Sequence, residues 1–129
     1  MATATGPVLT EGHWAEQATV SLLNSAGFEA VASTPAEDHR LKVDLWCRRQ
    51  GEDWIPVQLS TCRSAIAGEK GMNALRKGVV PNFVEGEALE AAFHNPALAE
   101  GLTSEFWSRV DQIRAAFRPR LIQPRRPLP

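Results

Sequence analysis

Two hydrophobic periods alternate along this chain. Over residues 11–26, Ala15, Ala18, Leu22 and Ala26 recur at helical spacing, Val20 and Leu23 widen the stripe, and Gly27 follows as a natural C-cap. Residues 28–33, FEAVAS, switch to a period of two, with Phe28, Ala30 and Ala32 on one face of a first strand. TPAEDHR reads as a polar loop. The most strand-like stretch, KVDLWCRRQGEDWIPVQLSTC, spans residues 42–62 and predicts two strands around a tight turn. Residues 61–78 predict a loop and then a helix ending near Lys77 with Gly78 as its stop, at a cost of about 1 kcal/mol each for Gly68 and Gly71. VVPNFV, residues 79–84, predicts a fourth short strand that Pro81 assigns to an edge or a bulge. Residues 85–95 and 96–102 predict two short helical pieces. A better helix follows over residues 103–117, striped by Phe106, Val110, Ile113 and Phe117.

This order predicts an α/β domain over residues 11–117, a small mixed sheet with helices packed on it and a helical C-terminal region. Residues 1–10 read as a flexible arm. Residues 118–129 hold four prolines and four arginines, which forbid a regular helix. They read as a solvated tail, or as an arm that touches a phosphate backbone or a partner protein.

Strand alternation sets Leu41, Val43, Leu45 and Cys47 on one face and Lys42, Asp44, Trp46 and Arg48 on the other. Ile55, Val57 and Leu59 share a face, opposite Pro56, Gln58 and Ser60. A register centred on Gly51 keeps like with like, placing Arg48 across from Trp54, Asp44 from Gln58, and Lys42 from Ser60; a shift by two residues also preserves the faces. Opposed Cβ atoms lie roughly 4.5–5.5 Å apart, close enough for Asp44 and Gln58 to grip one ion. Trp46 and Trp54 are expected to cover the sheet or, if exposed, to stack on a base.

Composition narrows the classes. The chain has 129 residues, 43% hydrophobic and 22% charged, with a net charge of −1. That suits one domain with one core, and nothing in the overall balance demands a nucleic-acid partner. The apolar runs are too short to span a bilayer. The start lacks a basic n-region and an h-region, so a cytoplasmic location is expected. Cys47 and Cys62 are then expected as reduced thiols, and His13, His39 and His94 stand at no zinc-ligand spacing.

A helix glutamate, a GF, a strand, an aspartate on a second strand and a polar-x-polar pair on a third resembles the PD-(D/E)XK nucleases, nearest the Holliday junction resolvase and restriction-endonuclease-like branches. Glu16 stands eleven residues before Gly27-Phe28, Asp44 matches the family aspartate, and Gln58-Leu59-Ser60 stands in the (D/E)XK position. The likeness covers about residues 11–84. It implies a restriction-endonuclease-like core and Mg²⁺- or Mn²⁺-dependent hydrolysis of DNA phosphodiesters. Glu16, Asp44, Gln58 and the Leu59 carbonyl would surround the metal, and Asp44, Gln58 and Lys70 or Lys42 would carry the chemistry. Two departures stand out. Gln58 brings an amide oxygen without charge, and Ser60 replaces the lysine that would orient water and stabilise phosphate charge.

The alternative from another class is a catalytically inactive nuclease-fold module that binds nucleic acid or protein partners in a larger assembly; a third is a generic α/β adaptor. DNA is the expected partner, a protein partner is possible on the second reading, and a homodimer would pair through Phe106, Trp107 and Val110. No membrane association is expected.

Overall fold

The glycine at the hairpin tip sets the sheet. Gly51 lies at φ +81°, a left-handed conformation that L side chains avoid. Around it β2 (Leu45–Arg48) and β3 (Ile55–Ser60) pair antiparallel, with Leu45 opposite Val57, Trp46 opposite Pro56 and Cys47 opposite Ile55. This is the register centred on Gly51, and the Arg48 guanidinium sits 4.3 Å from the Trp54 ring centroid as that register requires. The computed structural model describes residues 11–129, so the expected arm at 1–10 lies outside the described residues.

The remaining elements are α1 (Glu11–Ser25), β1 (Glu29–Ala32), α2 (Pro35–Leu41), α3 (Ser64–Ala67), α4 (Glu69–Arg76), β4 (Val80–Phe83), α5 (Gly86–Ala92) and α6 (Pro96–Phe117). The sheet is mixed, in the order β1-β2-β3-β4, with β3 and β4 parallel. β4 is an edge, which accommodates the missing amide of Pro81. The architecture is therefore α/β, as the element order predicts.

One sheet face packs Leu45, Cys47, Ile55, Val57, Leu59 and Val80 against Leu22 and Leu23 of α1, Leu89 of α5, and Leu102, Phe106, Trp107 and Val110 of α6. Each fully buried aliphatic or aromatic side chain contributes about 1.5–3 kcal/mol. The opposite face is also covered. Val43, Trp46, Trp54, Ala74 and Val79 form a second cluster, with Ile122 and Leu128 of the C-terminal segment packed against it. Trp46 is fully buried and Trp54 nearly so, so neither offers a ring for stacking on a base.

Four expectations are corrected. TPAEDHR forms α2, because Thr34 and Glu37 close a reciprocal capping box and Pro35 starts the helix. The predicted helix before Gly78 breaks at Gly68 into α3 and α4. The two pieces from Pro96 to Phe117 are one helix: Asn95 caps it by accepting from Ala97 and Leu98, and burial beyond Gly101 outweighs that glycine's cost of about 1 kcal/mol. Phe106, Trp107 and Val110 lie 1%, 5% and 0% exposed in the core, so they cannot pair two copies.

The C-terminal segment is not a solvated tail. Arg118 ends α6 in the left-handed region, the Ile122 amide donates to the Gly78 carbonyl, and Leu121, Ile122 and Leu128 are half-buried. Gly78 is required there, since a Cβ would stand 2.5 Å from the Arg120 carbonyl oxygen. Arg126 then donates to both Glu37 oxygens and to the Ala32 carbonyl. Glu37 also accepts from the Thr34 amide and Trp46 Nε1. Burial would raise its pKa, but these bonds outweigh burial and hold it below the usual range. The four-way junction ties tail, β1, β2 and α2 together. Arg126→Ala is expected to cost about 1 kcal/mol in chemical denaturation. Amide exchange over residues 35–41 should quicken more than over β2 and β3.

Candidate active site

At residue 42 the chain leaves α2 and enters the sheet. Lys42 adopts φ +61° as the helix C-cap and donates its amide to the Asp38 and Glu37 carbonyls. This turn delivers Asp44 to the start of β2, where every group is engaged. Its amide donates to the Val57 carbonyl at 2.8 Å, its carbonyl accepts from the Ser33 amide and hydroxyl, and its Oδ2 accepts the Leu59 amide at 2.7 Å. Lys42 is thereby a cap rather than a strand residue, and the predicted pairing of Lys42 with Ser60 does not form.

Asp44 is buried, and two further carboxyls converge on it. Glu16 from α1 and Asp38 from α2 line the same cleft, near enough for their charges to act on its ionisation. Burial, then the charge of Glu16, pushes the Asp44 carboxyl up to about 8; Asp38 adds to the rise and the Leu59 amide opposes it. Glu16 is raised too, by burial first and by Asp38, against the Asp44 bond and the nearby His13. At neutral pH the Asp44 carboxyl therefore keeps its proton.

A cleft of about 650 Å³ opens beside these carboxyls, where β2 begins and β3 ends. Its lining brings together all the residues singled out from the sequence: Glu16, Lys42, Asp44, Gln58, Leu59 and Lys70. Ser60 is set aside from it. Its Oγ accepts the Cys62 amide, and it borders a small neighbouring cavity instead. The sequence reading missed Asp38, Glu69, Asn73 and Lys77, which also line the cleft. Asp38 was legible in principle, because the Thr34-Pro35-Ala36-Glu37 capping box announces the helix that carries it. Lys77 follows α4 by one residue, and no motif marks it.

Among the described residues, no group of three or more His, Cys, Asp or Glu side chains is arranged to hold a metal ion. The oxygen donors are nonetheless of the kind a hard divalent cation takes: the Glu16 and Asp44 carboxyls, each of which disfavours the other's ionisation, line the cleft with the uncharged Gln58 amide. Cys47 lies in the core with its thiol pushed up by burial and Cys62 is exposed, and neither lines the cleft.

No family model, curated protein or solved structure matches this chain. No helix among the described residues is long and apolar enough to cross a membrane.

The raised Asp44 carboxyl gives a pH signature. Unfolded, an aspartate releases its proton near pH ~4; folded, this one holds it to about 8. Between those values the folded state binds more protons, so stability falls as pH rises. With chelator present, Tm should drop from pH 5 to pH 9 by at least about 3 °C more in the wild type than in Asp44→Asn. That variant keeps an acceptor for Leu59 but does not titrate.

Proposed function

We propose that the cleft is the centre of a divalent-cation-dependent DNA phosphodiester hydrolase. The observation that carries this reading is the meeting of Glu16, Asp44 and Gln58, from one helix and two adjacent strands, with Lys42 and Lys70 at the same cavity. That is the arrangement implied by the resemblance to PD-(D/E)XK nucleases, with Gln58 at the acid position.

In this reading Glu16, Asp44, the Gln58 amide oxygen and the Leu59 carbonyl would hold Mg²⁺ or Mn²⁺. When bound, such a cation screens phosphate charge and makes a coordinated water more acidic. The chain supplies the rest. The Leu59 amide fixes one Asp44 oxygen, which orients the other toward the acidic cluster. Lys42 and Lys70 are exposed at the cleft, form no ion pair among the described residues, and place ammonium donors where a phosphate would enter. Lys70 takes the part of the lysine that Ser60 lacks. Asp38 extends the acidic wall and raises the demand for a cation.

Linear, nicked, branched and single-stranded DNA incubated with Mg²⁺ or Mn²⁺ tests the proposal. Cleavage should fall at least about 100-fold in Asp44→Asn and about 10-fold or more in Lys70→Ala or Lys42→Ala. Wild-type protein that cleaves none of these substrates with either ion would overturn it. The second reading, a non-catalytic nucleic-acid or protein-binding module, is favoured by one observation: among the described residues no three acids are grouped closely enough to hold a metal ion. DNA binding without turnover would select it.

A further inference from the structure

We infer that the carboxyl cleft continues past the end of β3 into an arginine-lined subsite, where Arg63 and Arg109 hold a phosphate of the same DNA strand outside the cleft. This rests on the DNA-directed reading above. The cleft shares Gln58 and Lys70 with a small cavity that also touches Ile66 and Asn82. That cavity shares Ile66 with a third, of about 370 Å³, bordered by Arg63, Phe83 and Arg109. Neighbouring openings thus share wall residues in turn. Gln58, which borders the first opening, pairs with Pro81, and Ser60 with Phe83, which borders the third, so these two border residues lie two ladder steps apart along the strands, about 7 Å.

The third cavity has the chemistry of a phosphate site. Its lining holds two guanidiniums and no carboxylate; the remainder is Phe83, Gln112 and aliphatic side chains. Arg109 is fixed in advance. Its Nε donates to Asn82 Oδ1 at 2.8 Å, its Nη2 donates to the Phe83 carbonyl at 2.7 Å, and its Cζ lies 4.0 Å from the Phe83 ring centroid. Asn82 is itself buried and held by the Phe106 carbonyl. Arg109 Nη1 is left with exposed Glu105 at 3.9 Å as its ion-pair partner. Arg63 approaches the same ring at 5.2 Å, is exposed and forms no ion pair among the described residues. Burial first, and Arg63's charge after it, lower the Arg109 pKa, with Glu105 and Glu85 opposing. A bound anion would relieve that crowding. Guanidinium forks grip phosphate oxygens bidentately, and an arginine already locked in place loses little freedom on binding.

Arg109 variants would strip partners from Asn82 and Phe83, so the exposed Arg63 carries the test. Fluorescein-labelled single-stranded and duplex DNA is titrated by anisotropy in chelator, where nothing is cleaved, from 50 to 200 mM KCl. Arg63→Ala should weaken binding about 5- to 10-fold and reduce the salt slope by about 0.7–0.9, one phosphate's worth. Arg63→Glu should weaken it further and Arg63→Lys less, with wild-type Tm throughout. Affinity within twofold of wild type in Arg63→Ala and Arg63→Glu, at unchanged slope, overturns the subsite whether or not the protein cleaves DNA. Weakened binding by a protein that never cleaves supports the subsite and sinks only the hydrolase reading. Wild-type protein that neither binds nor cleaves overturns both.

Discussion

The hydrogen bond from the Leu59 amide to Asp44 Oδ2 is the constraint on which the cleft depends. It closes the open end of the hairpin with a side chain where a backbone carbonyl would ordinarily serve. It also commits the carboxyl to a buried position, with its remaining capacity directed at Glu16 and Asp38. Three carboxyls brought together in this way are unfavourable, because each raises the cost of ionising its neighbour. The sheet tolerates that cost because both of its faces are packed, with Leu45, Val57 and Leu59 on one and Val43 and Trp46 on the other. Strain of this kind concentrates where a protein binds something, and here it sits at a cleft rather than in a sealed core.

The wall opposite α1 is held differently. α2 fully buries none of its residues, and Leu41 at its end packs against the second cluster, so hydrophobic packing places it weakly. Polar contacts hold it: the capping box at Thr34, the Trp46 indole and the Arg126 guanidinium all converge on Glu37. The position of Asp38 and Lys42 in the cleft is therefore set partly by a residue some ninety positions later in the chain, reached because Arg118 and Gly78 let the last segment fold back. An element held by directional bonds and little apolar area opens at lower free energy than the sheet beside it. The cleft thus has one rigid side, formed by the strands and α1, and one compliant side.

What could be read from the sequence followed from short-range rules. The hairpin register came from a turn glycine and alternation within the strands, and the edge position of β4 from one proline; the alternation does not extend back to Leu41 and Val43, which pack with Trp46 on the face opposite Leu45 and Cys47 because the chain turns out of α2 at Lys42. Convergence of Glu16, Asp44 and Gln58 followed from placing a helix glutamate and two strand residues in a known order. The misses have physical causes of two kinds. Helix α2 has no apolar stripe, so hydrophobic periodicity is blind to it and only the capping chemistry announces it. The tail looked solvated because prolines and arginines dominate it, yet Leu121, Ile122 and Leu128 bury against the core, and that depends on distant residues. Likewise the stripe of Phe106 and Val110 is an interior face and not a dimer seam, since α6 lies across the sheet that β4 completes.

A net charge of −1 argues against a DNA substrate only if charge is evenly spread, and it averages two opposed regions of the surface. At one end Glu16, Asp38, Asp44 and Glu69 face Lys42, Lys70 and Lys77; at the other Arg63 and Arg109 border a cavity with no acid in its lining. Phosphate entering the first region without a cation meets more carboxyl than ammonium groups, whereas the second region attracts it unaided. On the proposed reading, then, binding and chemistry are separable along the strand. The arginine end would anchor DNA regardless of metal, and the carboxyl end would accept phosphate once a cation offsets the carboxyl charge there. Such a division makes whole-chain charge a poor guide to substrate, because the acids that cancel the basic residues in the sum are the ones that recruit the ion.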